Sequence, residues 1–321
     1  MDMLKPHEGL VKLRKISQDE KPSLTIEPGE TLEFEMPDFS GGAITKRSTA
    51  ADIKALQFSK GYALAGPIWV EGAQKGDLLE VELLAFEDHG WGYTAIFPEV
   101  EQFNLADYPE ERFEPFIAFW DVQGGVAVWK KFNVHVPLHP FLGVVGTAPF
   151  LTGSFNPLPP RECGGNLDCK HLTAGAKLYL PVHTEGALLF LGDPHLAMGD
   201  GEVYSSAIEA PLKVTVRVDV RKDLKHIDPP AFVVKRAQVQ DVFDGGYIGF
   251  MGVARTLDEA TEIAARKALG YFCKKLGMTP AEAAILLGVT LDITISEIPD
   301  LPMKVVSGLV PLSFFPGVSF P

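Results

Sequence analysis

The chain has 321 residues, 46% hydrophobic and 22% charged, which is apolar mass enough for one or two cores. Its formal net charge of -13 repels phosphate backbones and so argues against nucleic-acid binding, and no apolar run of about 18 residues is present to span a membrane as a helix. The first residues lack an apolar signal core, and Cys163, Cys169 and Cys273 form neither a CxxC pair nor an even-numbered disulfide framework, so a reducing, cytoplasmic setting is expected.

In chain order, Leu32, Phe34 and Met36 alternate with Thr31, Glu33 and Glu35, which predicts a strand with one dry and one wet face. Leu79, Val81 and Leu83 alternate with Glu80 and Glu82 in the same way. Turn signals such as Pro28-Gly29, Gly41-Gly42, Gly76-Asp77 and Gly124-Gly125 separate such runs. The turn-rich stretch Gly153 to Pro160 either links two halves or shapes a site wall. Lys177 to Val182 reads as a strand. Ala187 to Leu191 is nearly all apolar, which predicts a strand buried on both faces and ending at Gly192. Leu212 to Val220 places five apolar residues on one face. Thr256-Leu-Asp-Glu259 is a capping box; Ala260, Ile263, Ala264, Ala268, Tyr271, Phe272 and Leu276 follow at helical spacing, and Gly277 ends the helix. Thr279-Pro-Ala-Glu282 opens a second helix that stops at Gly288. Neither helix has a basic face, so a DNA-binding helix-turn-helix is disfavoured. Val289, Leu291, Ile293 and Ile295 alternate with Thr290, Asp292, Thr294 and Ser296, which predicts a strand after the helices.

Many short one-sided strands with Gly/Pro turns indicate a mainly β protein, a β-sandwich or jelly roll, with two helices near the C-terminus. The expected division is an N-terminal β-rich half, 1–155, and a C-terminal β-rich half, 156–321, carrying the candidate site and an α+β segment. The alternative is one intertwined domain.

Two segments concentrate chemistry. Gly164-Gly-Asn-Leu-Asp168 offers Asn166 and Asp168, with His171 just beyond. The second is Gly-Asp-Pro-His-Leu-Ala-Met-Gly-Asp-Gly-Glu, from Gly192 to Glu202, with Asp193 and His195 at the end of a buried strand. Side chains there are held rigidly, as a precise site requires. Asp193 and His195 are two apart, so on extended backbone they point the same way. Asp-x-His is either a metal pair or a histidine oriented by a carboxylate. A capped, solvated turn is the bland alternative. His183 reads as a core histidine, His171 as a turn cap, and Cys163 and Cys169 as loop thiols, because CxxxxxC is not a zinc-knuckle spacing.

Several runs in order resemble the acetamidase/formamidase family. They are Gly-Gly-Asn-Leu-Asp (Gly164 to Asp168), Leu-Thr-Ala-Gly (Leu172 to Gly175), Leu-Tyr-Leu-Pro-Val (Leu178 to Val182), Glu-Gly-Ala-Leu (Glu185 to Leu188), Gly-Asp-x-His-x-x-x-Gly-Asp-Gly-Glu-Val from Gly192, and Ala207-Ile-Glu209. Leu64 to Ala73, Gly76 to Glu82, Gly90 to Ala95 and Pro140 to Pro149 are similar too. Met198, Tyr204-Ser205 and His139 stand where the family often has Gln, Cys-Gly and Arg, which bears on the substrate more than on the reaction class. The resemblance implies a jelly-roll-like β-sandwich with a smaller α+β part. It implies hydrolysis of a small amide to a carboxylic acid and ammonia, a divalent metal (zinc, with calcium as second candidate), and a homodimer or higher homo-oligomer.

For that reaction Asp168, Asp193 and His195 are the expected metal ligands. Asn166 is expected to orient ligand or substrate. Glu202 is the first choice for the proton shuttle and Glu185 the second. A serine route through Ser205 or Ser206 lacks a Gly-x-Ser-x-Gly elbow. The alternatives are a larger or cyclic amide such as a lactam, with Trp69, Trp91 and Trp120 available to line a wider pocket, or a non-enzymatic metal- or carbohydrate-binding β-sandwich.

Overall fold

A computed structural model describes residues 10–97, 115–130, 134–198, 206–234, 246–277, 291–312 and 318–320. Strands are numbered β1 to β18 in chain order. A six-stranded sheet runs β1 (Val11–Arg14), β4 (Tyr62–Val70), β13 (Leu189–His195), β10 (Phe141–Gly146) and β11 (Gly164–Asn166), with β2 (Leu24–Ile26) parallel to β4. An eight-stranded sheet runs β17 (Asp292–Glu297), β18 (Lys304–Pro311), β16 (Tyr247–Ala254), β15 (Ala231–Val234), β12 (Ala176–Pro181), β5 (Leu78–Asp88), β14 (Leu212–Arg221) and β3 (Glu30–Met36). A smaller meander holds β6 (Trp91–Ile96), β7 (Phe116–Gln123), β8 (Val126–Trp129) and β9 (Val134–Pro137). Both large sheets draw strands from each half of the chain.

The two large sheets pack face to face. Leu79, Val81 and Leu83 of β5, Leu178 and Leu180 of β12, and Val214, Val216 and Val218 of β14 meet Ala65 and Ile68 of β4, Leu142 and Val145 of β10, and Leu189 and Leu191 of β13 in one core. Each Val, Leu or Ile side chain among them, fully buried, contributes roughly 1.5–3 kcal/mol relative to exposure. The other face of the eight-stranded sheet is covered by helix α2 (Leu257–Leu276). Its Ala268, Tyr271 and Phe272 pack on Tyr179, Val233, Ile248 and Phe250. The Thr256 side chain accepts the Glu259 N–H at 3.2 Å, and Gly277 closes the helix in the left-handed region, as the sequence predicts.

Three details differ from the sequence reading. Strand β13 does not end at Gly192 but continues through His195, and Ala187 and Leu188 precede it with φ of 58° and 54°. Strand β17 does not keep the predicted apolar face. Ile293 is 44% exposed, while Ser296 and Glu297 are buried, the Ser296 hydroxyl lying 2.8 Å from that of Ser307. A register shift against β18 between Ile295 and Glu297 turns the strand's end inward. A short helix, α1 (Ala50–Ala55), was not foreseen; Asp52 Oδ2 accepts the Thr49 N–H at 2.7 Å to start it. The second helix predicted near the C-terminus, from Thr279 to Gly288, lies outside the described residues, as does Val289. Among the described residues no helix is long and apolar enough to cross a membrane.

Candidate metal centre and active site

Strand β10 carries the site between two partners. Its Leu142 and Val144 pair with Pro194 and Gly192 of β13, and its Val144 also pairs with Asn166 of β11. Gly143 therefore sits between the two strands, beside Asp193. Its carbonyl accepts the N–H groups of Leu167 at 2.9 Å and Asp168 at 3.3 Å, which draws the chain after β11 around it. Asp168 and Asp193 both have φ in the left-handed region, 44° and 58°. Such backbone costs of order 1 kcal/mol or more per residue and persists where the surroundings enforce it. The left-handed φ shows that Asp193 and His195 do not converge through plain extended backbone, as the two-residue spacing had suggested.

The result is a buried triad. One donor atom each from Asp168, Asp193 and His195 lies within 4.8 Å of the other two. His195 Nε2 is 3.4 Å from Asp193 Oδ1, and Nδ1 is 3.9 Å from Asp168 Oδ1. A fourth side chain joins them: Glu209 Oε2 is 3.2 Å from His195 Nε2. Backbone bridges link Glu209 to both His195 and Tyr93. Glu209 Oε1 accepts the Ala207 N–H at 3.1 Å and lies 3.4 Å from Ser206 Oγ, which leaves Oε2 for the imidazole. The Phe141 ring stands edge-on to His195, with centroids 5.0 Å apart.

Behind the triad, Asn166 Nδ2 donates to Asp168 Oδ2 at 2.5 Å and to Asp300 Oδ2 at 2.6 Å. The Asp300 N–H donates to Glu297 Oε1 at 2.6 Å. On the other flank, the Tyr93 hydroxyl donates to Asp38 Oδ2 at 2.5 Å, and Asp38 also accepts from Ser40 and the Gly42 N–H.

The electrostatics of this set are one-sided. Asp38, Asp168, Asp193, Glu209, Glu297 and Asp300 are all buried. Among the described residues no lysine or arginine forms an ion pair with Asp168, Asp193 or Glu209. Burial, and then the neighbouring Asp193 carboxylate, holds the Asp168 carboxyl well above its ordinary range; His195 offsets this only in part. Burial likewise raises Glu209. Burial alone would depress His195, but the Glu209 and Asp193 carboxylates overcome it and lift the imidazole well above its ordinary value. Burial, with Glu297 and Asp168 close by, raises Asp300 well above the carboxylate range. Buried charge of one sign is costly without a counter-charge.

The residues fit a cation. Asp168 Oδ1, both His195 nitrogens and Glu209 Oε2 are buried without a hydrogen-bond partner, although they face one another. A β-carbon on Gly143 would lie 2.5 Å from Asp168 Oδ1 and 2.6 Å from Asp193 Oδ2, so the space between the two aspartates stays open only because residue 143 has no side chain. Two carboxylates and an imidazole suit a borderline divalent ion.

The other expected site residues fall elsewhere. Asn166 contacts a triad member. Glu202 and Ser205 lie outside the described residues. Glu185 is exposed in the turn before β13, 3.4 Å from Gln74 Nε2, at the far end of that strand from His195. Seven residues of strand place those ends roughly 20 Å apart. His171 lies 2.6 Å from the Tyr247 hydroxyl and stacks on Phe232, and His183 meets the edge of Phe150; neither joins the triad. Cys163 and Cys169 are buried and form no disulfide. Glu209, Asp300, Glu297, Asp38 and Tyr93 were not singled out from the sequence as site residues. The available signal was a lone acid in an apolar setting, as in Ala-Ile-Glu-Ala-Pro (Ala207 to Pro211) and Ile-Ser-Glu-Ile-Pro-Asp (Ile295 to Asp300).

The chain is similar to known amidases. The chain is 27% identical over 359 residues to a formamidase of Methylophilus methylotrophus, covering 90% of this chain and 86% of that one. It is 30% identical over 264 residues to an acetamidase of Mycolicibacterium smegmatis, covering 62% of this chain and 63% of that one. The crystal structure of an acetamidase from Bacillus halodurans superposes with a TM-score of 0.82 at 29% identity, over 95% of this chain and 97% of the other. The model of the acetamidase/formamidase family matches residues 14–153 and 152–316, so the chain belongs to that family.

Proposed function

We propose that this protein hydrolyses small linear amides of the formamide and acetamide class to a carboxylic acid and ammonia. The observation that carries the reading is the convergence of Asp168, Asp193 and His195 in one buried cluster, in a chain matched to this family over nearly its whole length.

An amide resists hydrolysis because nitrogen donates electron density into the carbonyl and leaves poorly as an anion. The reaction needs an activated water, stabilisation of the developing oxyanion, and a proton for the departing nitrogen. Asp168, Asp193 and His195 would hold a divalent cation, zinc on the strength of its imidazole ligand, with calcium the weaker candidate. Such an ion, when bound, supplies Lewis acidity, lowering the pKa of water to roughly 7 and polarising a carbonyl. Glu209, 3.2 Å from the imidazole, fixes the orientation of His195. Asn166 holds Asp168 by its outer oxygen. Glu202, seven residues past His195, is proposed to carry the proton from water to the leaving nitrogen. Phe141, buried and edge-on to His195, covers that side of the polar cluster with apolar surface.

We further propose a cytoplasmic homo-oligomer. The burial that pushes the Cys163 thiol up to about 12 keeps it inert, as suits a chain without disulfides. Purified protein incubated with formamide, acetamide, propionamide and a five-membered lactam tests the reading. Ammonia release from the linear amides, with little ring opening of the lactam, is expected. No ammonia from any of the three linear amides overturns it.

A further inference from the structure

We propose that Asp300 is a positioning residue for the triad, acting on Asp168 through the side-chain amide of Asn166. The inference rests on the reading of the triad as a cation site and adds a residue to it from the far end of the chain.

Asn166 Nδ2 carries two hydrogens. One points to Asp168 Oδ2 at 2.5 Å, the other to Asp300 Oδ2 at 2.6 Å. The amide has two possible orientations, with N and O exchanged. Turning the oxygen toward Asp168 would set it against two carboxyl groups at once, so Asp300 selects the orientation in which nitrogen faces both. That choice ties down Asp168 Oδ2 and leaves Oδ1 free, unpartnered and facing the space beside Gly143. Without Asp300 the amide is free to turn, and Asp168 loses the donor that fixes its rotamer. Asp300 is itself held, since its N–H donates to Glu297 Oε1 and its side chain is almost wholly buried. Glu297 ends β17, where the register shift turns it inward. The strand end in the eight-stranded sheet thus reaches a ligand in the six-stranded one. Outer contacts of this kind typically govern metal affinity by 10–100-fold.

The test measures Zn²⁺ and Co²⁺ affinity of the full chain by competition with a chromophoric chelator, alongside the melting temperature of the metal-free protein. Asp300→Ala is expected to weaken both ions by about 10–100-fold. Asp300→Asn, whose carbonyl oxygen still accepts from Asn166, is expected to stay within about threefold of wild type. Asn166→Ala should weaken binding to a similar degree, and adding Asp300→Ala to it should cost little more, because one acts through the other. Unchanged affinity in Asp300→Ala, or a loss that adds in full to that of Asn166→Ala, overturns the proposal. Should Asp300→Ala not fold, Asp300→Ser, too short to reach Asn166, carries the same comparison. A wild-type chain that binds neither ion overturns the triad reading itself, a result distinct from a wild type that binds and an Asp300 variant that binds equally well.

Discussion

The carboxylate of Asp168 occupies the space that a side chain on Gly143 would need: a β-carbon there would lie 2.5 Å from Asp168 Oδ1. Gly143 has no left-handed φ, so its backbone admits alanine and the objection is purely one of space. Gly143→Ala should therefore fold at a cost of about 1–3 kcal/mol from overpacking. It should lose more than about tenfold in divalent-metal affinity as the two aspartates are pushed apart. Metal titration of the folded variant checks this; wild-type affinity would show that the gap is not a binding cradle.

His195 lies between Asp193 and Glu209, and replacing it removes the counter-charge to both. His195→Ala should destabilise the metal-free protein by about 3–5 kcal/mol, the range for breaking a buried pair. Amide hydrolysis should fall at least about a hundredfold, the scale on which one preorganised electrostatic group acts. Denaturant unfolding and an ammonia assay read the two effects separately. Full activity in this variant would remove His195 from the site.

Burial lifts the Glu297 carboxyl to about 7 from an ordinary value of 4.5. A folded-state value above the unfolded one means that the folded chain takes up a proton. This group's stabilising contribution is then intact below about pH 4.5 and is lost as pH rises through about 7. Glu297→Gln stays neutral and keeps the oxygen that accepts from Asp300. In metal-free protein it should gain about 1–3 kcal/mol over wild type at pH 8 and little at pH 5. Urea unfolding at the two pH values decides; an equal difference at both would show that ionisation of Glu297 carries no penalty.

Thr256 caps α2 through the Glu259 N–H, and the helix covers the outer face of the eight-stranded sheet. Thr256→Ala should cost about 1 kcal/mol of stability and leave kcat unchanged, because the helix packs against the sheet face away from the triad. A large loss of activity at preserved stability would mean that α2 communicates with the site.

Most of the scaffold was legible because its cause is local. Alternation in Leu79 to Leu83 and Leu212 to Val220 follows directly from one dry sheet face, and Thr256 and Gly277 mark α2 through their own backbone chemistry. The triad was legible in part, because Asp168, Asp193 and His195 sit in dense polar segments at the edges of apolar strands. What the sequence did not disclose depends on long-range pairing. Glu209 reaches His195 through a backbone bridge, and Asp300 reaches Asn166 across 134 residues. Neither distance leaves a periodic trace. Glu185 precedes β13 and His195 ends it, so the length of that strand separates the two. Ile293 misled because β17 is the edge strand of its sheet, where an apolar side chain can stay exposed.

The central claim is that a divalent cation held by Asp168, Asp193 and His195 is needed for amide hydrolysis. Its most direct test is elemental analysis of the purified protein paired with ammonia release from formamide and acetamide, before and after exhaustive chelation. The account predicts close to one bound divalent ion per chain, loss of activity as it is stripped, and recovery on adding Zn²⁺. Undiminished ammonia release from protein verified as metal-free would contradict it.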